Sequence, residues 1–150
     1  MRIFIDADAC PVKDEVYKVA ARYGLKTFVV SNGFIRTPPG PMIEFVMVEA
    51  GPDIADDWIA ERAEPGDIVV TSDIPLADRA LKKGAAAIAP NGRAFTVDSI
   101  GSALAGRAIG EHIRSTGEIT GGPRPFATAD RSRFLEALDE AVNRERRKRR

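Results

Sequence analysis

Five short apolar runs punctuate the chain, at 2–5, 27–31, 43–48, 68–71 and 85–89, and helical periodicity separates every neighbouring pair but one. This alternation constrains the fold more than any other feature. Strands that alternate with helices build a mostly parallel sheet covered on both faces. The expected fold class is α/β: a three-layer α/β/α sandwich in the order β-α-β-β-α-β-α-β, followed by helical C-terminal elements. Only a loop containing Asn32-Gly33 and Thr37-Pro38-Pro39-Gly40-Pro41 joins the second run to the third, so the third is the candidate edge strand.

The helical stretches carry start and stop signals. Pro11 suits the first turn of a helix, where its missing N–H costs nothing. Val12, Val16, Val19, Ala20 and Tyr23 then recur at helical spacing until Gly24. Asp53 is a candidate N-cap for a helix with Ile54, Trp58, Ile59 and Ala63 on one side. A third helix is expected over 75–83, stopped by Gly84. A fourth is expected over 97–114, weakened by Gly101, Gly106 and Gly110. A loop over 117–125 then leads to a terminal helix over 131–147 whose apolar face is Phe134, Leu135, Leu138 and Val142.

A chain of 150 residues is expected to form one domain, here 1–143, with a basic C-terminal tail at 144–150. Its 22 basic and 22 acidic residues cancel, but the last seven residues hold six of the basic ones and one acid. Residues 1–143 therefore carry a net charge of −5. A basic tail on an acidic body would draw a polyanion toward an acidic site; alternatively, its cations face the C-terminal dipole of a helix. One Cys excludes an intramolecular disulfide and fits a reducing cytoplasm. No apolar run approaches the ~20 residues of a membrane helix and no signal-peptide pattern opens the chain, so no membrane association is expected.

The strands end in acid. Phe4-Ile5-Asp6-Ala7-Asp8 presents two carboxylates after the first run, and Asp73 follows the fourth. Asp53, Asp56 and Asp57, at i, i+3 and i+4, can share a face at the start of the helix before the fourth run. Open α/β sheets hold ligands outside the carboxyl ends of their strands, so these acids converge if the first and fourth strands are neighbours. Two unit charges at ~4 Å repel by about 4 kcal/mol at an effective dielectric near 20. Such carboxylates are either protonated or paired with a cation. Oxygen-only ligation without a Cys/His set suits Mg²⁺ or Mn²⁺, and the chemistry that follows is metal-assisted phosphodiester hydrolysis. Asp6 and Asp73 are the acids most clearly expected in such a site, with Asp8, Asp53, Asp56 and Asp57 as further candidates. Against this, Asp53 and Asp56 also read as helix-start residues that favour its positive end, Asp67 in Pro65-Gly66-Asp67 reads as structural, and Asp78 has Lys82 one turn away.

Four separated motifs, Asp6-Ala7-Asp8-Ala9-Cys10-Pro11-Val12-Lys13, Gly51-Pro52-Asp53-Ile54-Ala55-Asp56, Thr71-Ser72-Asp73-Ile74-Pro75-Leu76-Ala77 and Thr120-Gly121-Gly122-Pro123, resemble in this order the bacterial YaiI/YqxD family, over residues 1 to about 140. That family in turn resembles the PIN-like nuclease superfamily. There, acids follow the first strand, open the helix before the fourth strand, and follow that strand. Asp6, Asp53 and Asp73 match those places, and Asp8, Asp56 and Asp57 fall beside them. The resemblance implies a PIN-like fold and a divalent-metal nuclease, with Asp6, Asp53 and Asp73 as its catalytic acids and metal ligands, Asp8 or Asp57 completing the set, and RNA or single-stranded nucleic acid as the expected partner. Glu44 and Glu49 are candidates for the additional acid such nucleases place after the first helix.

Lys13, Ser72, Arg93 and Arg124 are candidate substrate contacts. Lys13 stands at a helix start, where a phosphate or plain solvent would be its partner. Ser72 either presents its hydroxyl beside Asp73 or caps the next helix. Asn91-Gly92-Arg93 is a turn with an arginine to offer. Arg124 lies in Gly121-Gly122-Pro123-Arg124-Pro125-Phe126, which reads either as an anion-binding backbone nest or as a connector with Phe126 in the core. Cys10 reads as a small buried thiol, and the lone His112 has no expected role. No dinucleotide or P-loop pattern occurs. Two other functions stay open: a haloacid-dehalogenase-like phosphatase built on Asp6-x-Asp8, and a non-catalytic RNA-binding module.

Overall fold

In the computed structural model, which describes residues 1–101 and 127–148, five strands form one all-parallel sheet. They are β1 (Arg2–Asp6), β2 (Lys26–Ser31), β3 (Ile43–Met47), β4 (Ile68–Val70) and β5 (Ala86–Ile88), in the spatial order β3-β2-β1-β4-β5. The helices are α1 (Lys13–Tyr23), α2 (Ile54–Arg62), α3 (Ile74–Lys82), α4, which starts at 97 and is described to 101, and α5 (Thr128–Lys148). The expected three-layer α/β/α sandwich is therefore present, with β3 at an edge.

Each face of the sheet has its own core. Ile3 and Ile5 of β1 pack into one with Val16, Val19 and Ala20 of α1 and Phe134, Leu138 and Val142 of α5. Phe4, pointing the opposite way, packs into the other with Ile59 and Ala60 of α2 and Leu76, Ala77 and Ala80 of α3. Burial on both faces is why β1 reads as an unbroken apolar run, as covered parallel strands do. Gly24 closes α1 in the left-handed conformation at φ +65°, its N–H donating to the Ala20 carbonyl. Asp139 of α5 then accepts from Tyr23 Oη at 2.6 Å and Arg22 at 2.9 Å, tying the two helices of that layer together.

Three expectations need correction. Pro11 does not open α1: residues 7–9 form a 3₁₀ turn and the helix starts two residues later, at Lys13. The Lys13 ammonium donates to the carbonyls of Cys10 (2.6 Å) and Ala7 (3.4 Å), and Arg131 donates to that of Pro11 (2.7 Å), so this stretch spends its carbonyls on side chains. Second, the terminal helix runs to Lys148 rather than ending at 147, so the basic stretch 144–148 is helical. Glu145 there is buried, Arg144 pairs with Glu140 (3.0 Å), Lys148 pairs with Glu145 (3.3 Å), and the Arg146 guanidinium lies 5.1 Å from the centre of the Tyr23 ring. Third, α5 starts three residues early, because the Asp130 carboxylate accepts from the Ala127 N–H at 2.9 Å. Arg124, His112, the motif at 120–123 and the rest of the expected fourth helix and following loop lie outside the described residues.

The topology fixes where a ligand belongs. From β1 the chain winds outward through β2 and β3, then returns to lay β4 and β5 on the other side. The crevice at the carboxyl ends of β1 and β4 is the point where the winding reverses, the usual ligand position of open α/β sheets. Asp67 occupies the opposite end of β4. It is buried and accepts from the Arg2 backbone N–H (2.9 Å), the Arg2 guanidinium (2.8 Å) and the Glu64 N–H (3.0 Å), which is the structural role expected of it. Among the described residues no helix is long and apolar enough to cross a membrane.

Candidate functional site

Strand register assembles the reversal point. Ile5 pairs with Val70, so the next residues, Asp6 and Thr71, lie side by side. The Thr71 hydroxyl is buried and donates to Asp6 Oδ2 at 2.8 Å, while Thr71 Oγ1 accepts the Asp73 backbone N–H at 2.9 Å. Asp73 is the N-cap of α3, its carboxylate accepting from the Leu76 N–H at 2.9 Å. One hydroxyl thus fixes the ends of β1 and β4 relative to each other.

On the other flank Asp6 pairs with Val30, which brings Asp8 to the end of β2. The Ser31 hydroxyl donates to Asp8, the Asn32 N–H lies 3.3 Å from both carboxylate oxygens, and the Gly33 N–H donates to Ser31 Oγ at 3.0 Å. Asp8 is exposed yet oriented, and its hydrogen bonds hold the turn after β2.

The helix α2 delivers the remaining acids. Asp53, its N-cap, has φ +66°, the one positive value at a non-glycine among the described residues, and makes no side-chain cap bond. Asp tolerates this conformation better than most residues. Within the first turn Asp56 and Asp57 diverge. Asp57 is exposed and pairs with Arg79 of α3 at 2.6 Å. Asp56 is half-buried, three and four residues before the buried Ile59 and Ala60, and so turns toward the sheet.

Electrostatics shows which acids share the crevice. The Asp6 carboxyl is pushed above the usual range, first by burial and then by the charges of Asp73 and Asp8, against the opposing Thr71 hydrogen bond. Asp56 is pushed up to about 6, first by burial, then by Asp73, Asp6 and Asp53, with Arg79 opposing. A carboxylate in the first turn of a helix is ordinarily favoured by ~0.3–1 kcal/mol through the helix dipole. At Asp56 desolvation and crowding outweigh that. Asp6, Asp56, Asp73 and Asp53 therefore act as one electrostatic group drawn from three elements.

The residues fit a hard cation in donor type and in charge. The donors are all carboxylate oxygens and their mutual repulsion is incompletely offset, since Arg79 is engaged by Asp57. As the side chains stand, no three His, Cys, Asp or Glu among the described residues form a group that would enclose an ion. A cation that retains most of its waters requires only one or two protein carboxylates.

The other expected site residues are placed as follows. Lys13 is committed to loop carbonyls, Ser72 is exposed beside Asp73, and Arg93 is exposed at the rim of a cleft of about 510 Å³ between the 91–93 turn and α5. Cys10 is buried and its thiol is pushed up by that burial, so it is the inert thiol expected. Glu44 pairs with Lys26 at 3.6 Å and Asp78 with Lys82 at 2.8 Å. Thr71 and Ser31 were not singled out as site residues. Their one sequence signal is a hydroxyl residue ending an apolar run: Thr71 stands two positions before Asp73, while Ser31 has no acid near it in the sequence.

Comparison with known proteins agrees on one family. Residues 4–144 match the model of the uncharacterized YaiI/YqxD family. The chain is 72% identical over 145 residues to a UPF0178 protein of Caulobacter sp. (strain K31), covering 97% of this chain and 96% of that one. It is 62% identical over 148 residues to a UPF0178 protein of Rhodopseudomonas palustris (strain TIE-1), covering 99% and 94%. No solved structure gives a significant match.

Proposed function

The chain belongs to the YaiI/YqxD family, and from that premise we propose that it is a divalent-metal-dependent nuclease of PIN-like type, hydrolysing phosphodiester bonds of RNA or single-stranded nucleic acid. The observation that carries the reading is the pair of raised carboxyls, Asp6 and Asp56, coupled to Asp73 at the reversal point of a parallel sheet. Perturbed acids in such a crevice are expensive for a purely structural role and useful for a catalytic one.

Asp6, Asp56 and Asp73 would hold Mg²⁺ or Mn²⁺, with Asp53 and Asp8 at its margins. Asp56 takes the part that sequence spacing left to Asp57, whose carboxylate is paired with Arg79. When bound, the ion supplies an acidified water and a positive charge for the developing oxyanion. The chain's own contribution is positioning. Thr71 orients Asp6, the α3 N-terminus orients Asp73, and Ser31 holds Asp8, so the acids face the substrate with little freedom to lose. The exposed Ser72 hydroxyl stands at the same edge to meet a phosphate oxygen.

The test is cleavage of a single-stranded oligonucleotide in Mn²⁺ by the purified chain and by Asp6→Asn. Wild-type cleavage and its abolition in a folded Asp6→Asn variant are expected. Retained cleavage in that variant would sink the assignment. A burst of acid-labile phosphoenzyme instead would mark Asp6 as a phosphatase nucleophile.

A further inference from the structure

Phe34 is the most exposed large hydrophobic residue among those described, at 79%. It is not loose. Its ring meets that of Phe45 of β3 in a T-shaped contact, with centroids 5.9 Å apart and planes at 84°, and stays exposed. Phe45 is itself packed against the α1–α5 core. The backbone before Phe34 is fixed as well: Ser31 Oγ accepts the Gly33 N–H and donates to Asp8. A continuous set of hydrogen bonds therefore runs from the acidic edge of the sheet, through Asp8 and Ser31, to the residue preceding the ring.

Two residues further on, Arg36 is exposed and makes no hydrogen bond or ion pair among the described residues. An oriented, exposed aromatic ring with an exposed, unpaired arginine two residues along the chain matches the repeating unit of a single strand, a base next to a phosphate.

We propose that Phe34 is a stacking platform for a nucleobase of a single-stranded nucleic acid, with Arg36 contacting an adjacent phosphate, next to the acidic crevice. The inference rests on the nuclease reading for its choice of ligand, but it concerns binding and is tested without turnover.

The probe is a single-stranded RNA 12-mer containing 2-aminopurine, titrated with the full chain in EDTA at fixed salt. Stacking on Phe34 quenches the fluorophore. Phe34→Ala should weaken binding roughly 5- to 150-fold and remove the quench, while Phe34→Trp retains both. Arg36→Gln should reduce the slope of log affinity against log salt by about 0.7, the contribution of one phosphate contact on a single strand. Equal affinity and quench in Phe34→Ala overturns the proposal, as does absence of binding by the wild type. So does a wild-type dimer in sedimentation that Phe34→Ala converts to monomer with oligonucleotide binding unchanged. Binding with quench but no cleavage in Mn²⁺ would refute the nuclease reading alone; cleavage with Phe34→Ala binding intact would refute the platform alone.

Discussion

Replacing Asp56 by Asn should stabilise the metal-free protein at high pH and leave it unchanged at low pH. In the unfolded chain this carboxyl titrates near 3.8, and in the folded crevice near 6. An acid whose folded value is raised makes the folded state bind more protons between those values. Stability is therefore fullest below about pH 4 and falls as pH rises through about 6. A shift of some two pH units corresponds at face value to ~3 kcal/mol, at about 1.4 kcal/mol per unit. Because the side chain is only half-buried, solvent screening reduces the penalty to about 1 kcal/mol. Asn keeps the shape and removes the charge. Its advantage should appear above pH 4, grow through pH 6 and level off near 1 kcal/mol at pH 8, or about 3 °C in melting temperature for a chain of this length. Trp58, the chain's single Trp, is the natural probe. It sits two residues further along α2, 6.1 Å from Phe4 and 5.8 Å from Phe28, centroid to centroid. Urea unfolding followed by its fluorescence in EDTA, at pH 4 and pH 8, reads the difference. A gain of equal size at both pH values, or a loss at pH 8, refutes the argument that crowded charge raises Asp56.

Calorimetric titration with Mn²⁺ at pH 7.5 should show binding by the wild type, weakened at least tenfold by Asp56→Asn and little changed by Asp57→Asn, because Asp57 is paired with Arg79. The same binding should strengthen as pH rises through about 6, since Asp56 must be ionised to ligate. Asp67→Ala strips the buried partner from the Arg2 guanidinium and two backbone N–H groups at the far end of the sheet. It should cost about 3 kcal/mol, read by urea unfolding, and leave Mn²⁺ affinity unchanged.

What local sequence dictates here is what periodicity and punctuation can encode. The apolar runs around Phe4, Val29 and Val69 and the helical spacing of Val12, Val16 and Val19 specify the strands and their covering helices. Gly24 and the Asp73-Ile74-Pro75 start specify ends, because a left-handed cap and a proline in the first turn act within a few residues. Acid after the first and fourth strands was legible for the same reason. The parallel crossovers then bring those two ends together with no further instruction.

Tertiary structure alone decided between neighbours. Asp56 rather than Asp57 enters the crevice because the packing of Ile59 and Ala60 against the sheet sets the rotation of α2 about its axis, and one residue is about 100° of that rotation. Spacing within the first turn cannot supply that angle. Thr71 meets Asp6, and Ser31 meets Asp8, through strand register, which is a property of residues 65 and 23 positions apart. The basic stretch 144–148 continues α5, where Glu145 and Tyr23 engage its cations from within the fold. The sequence by itself determined that acids would stand at the ends of two strands; packing, register and burial decided which of them crowd together and are raised, and so which carboxylates have reason to hold a cation.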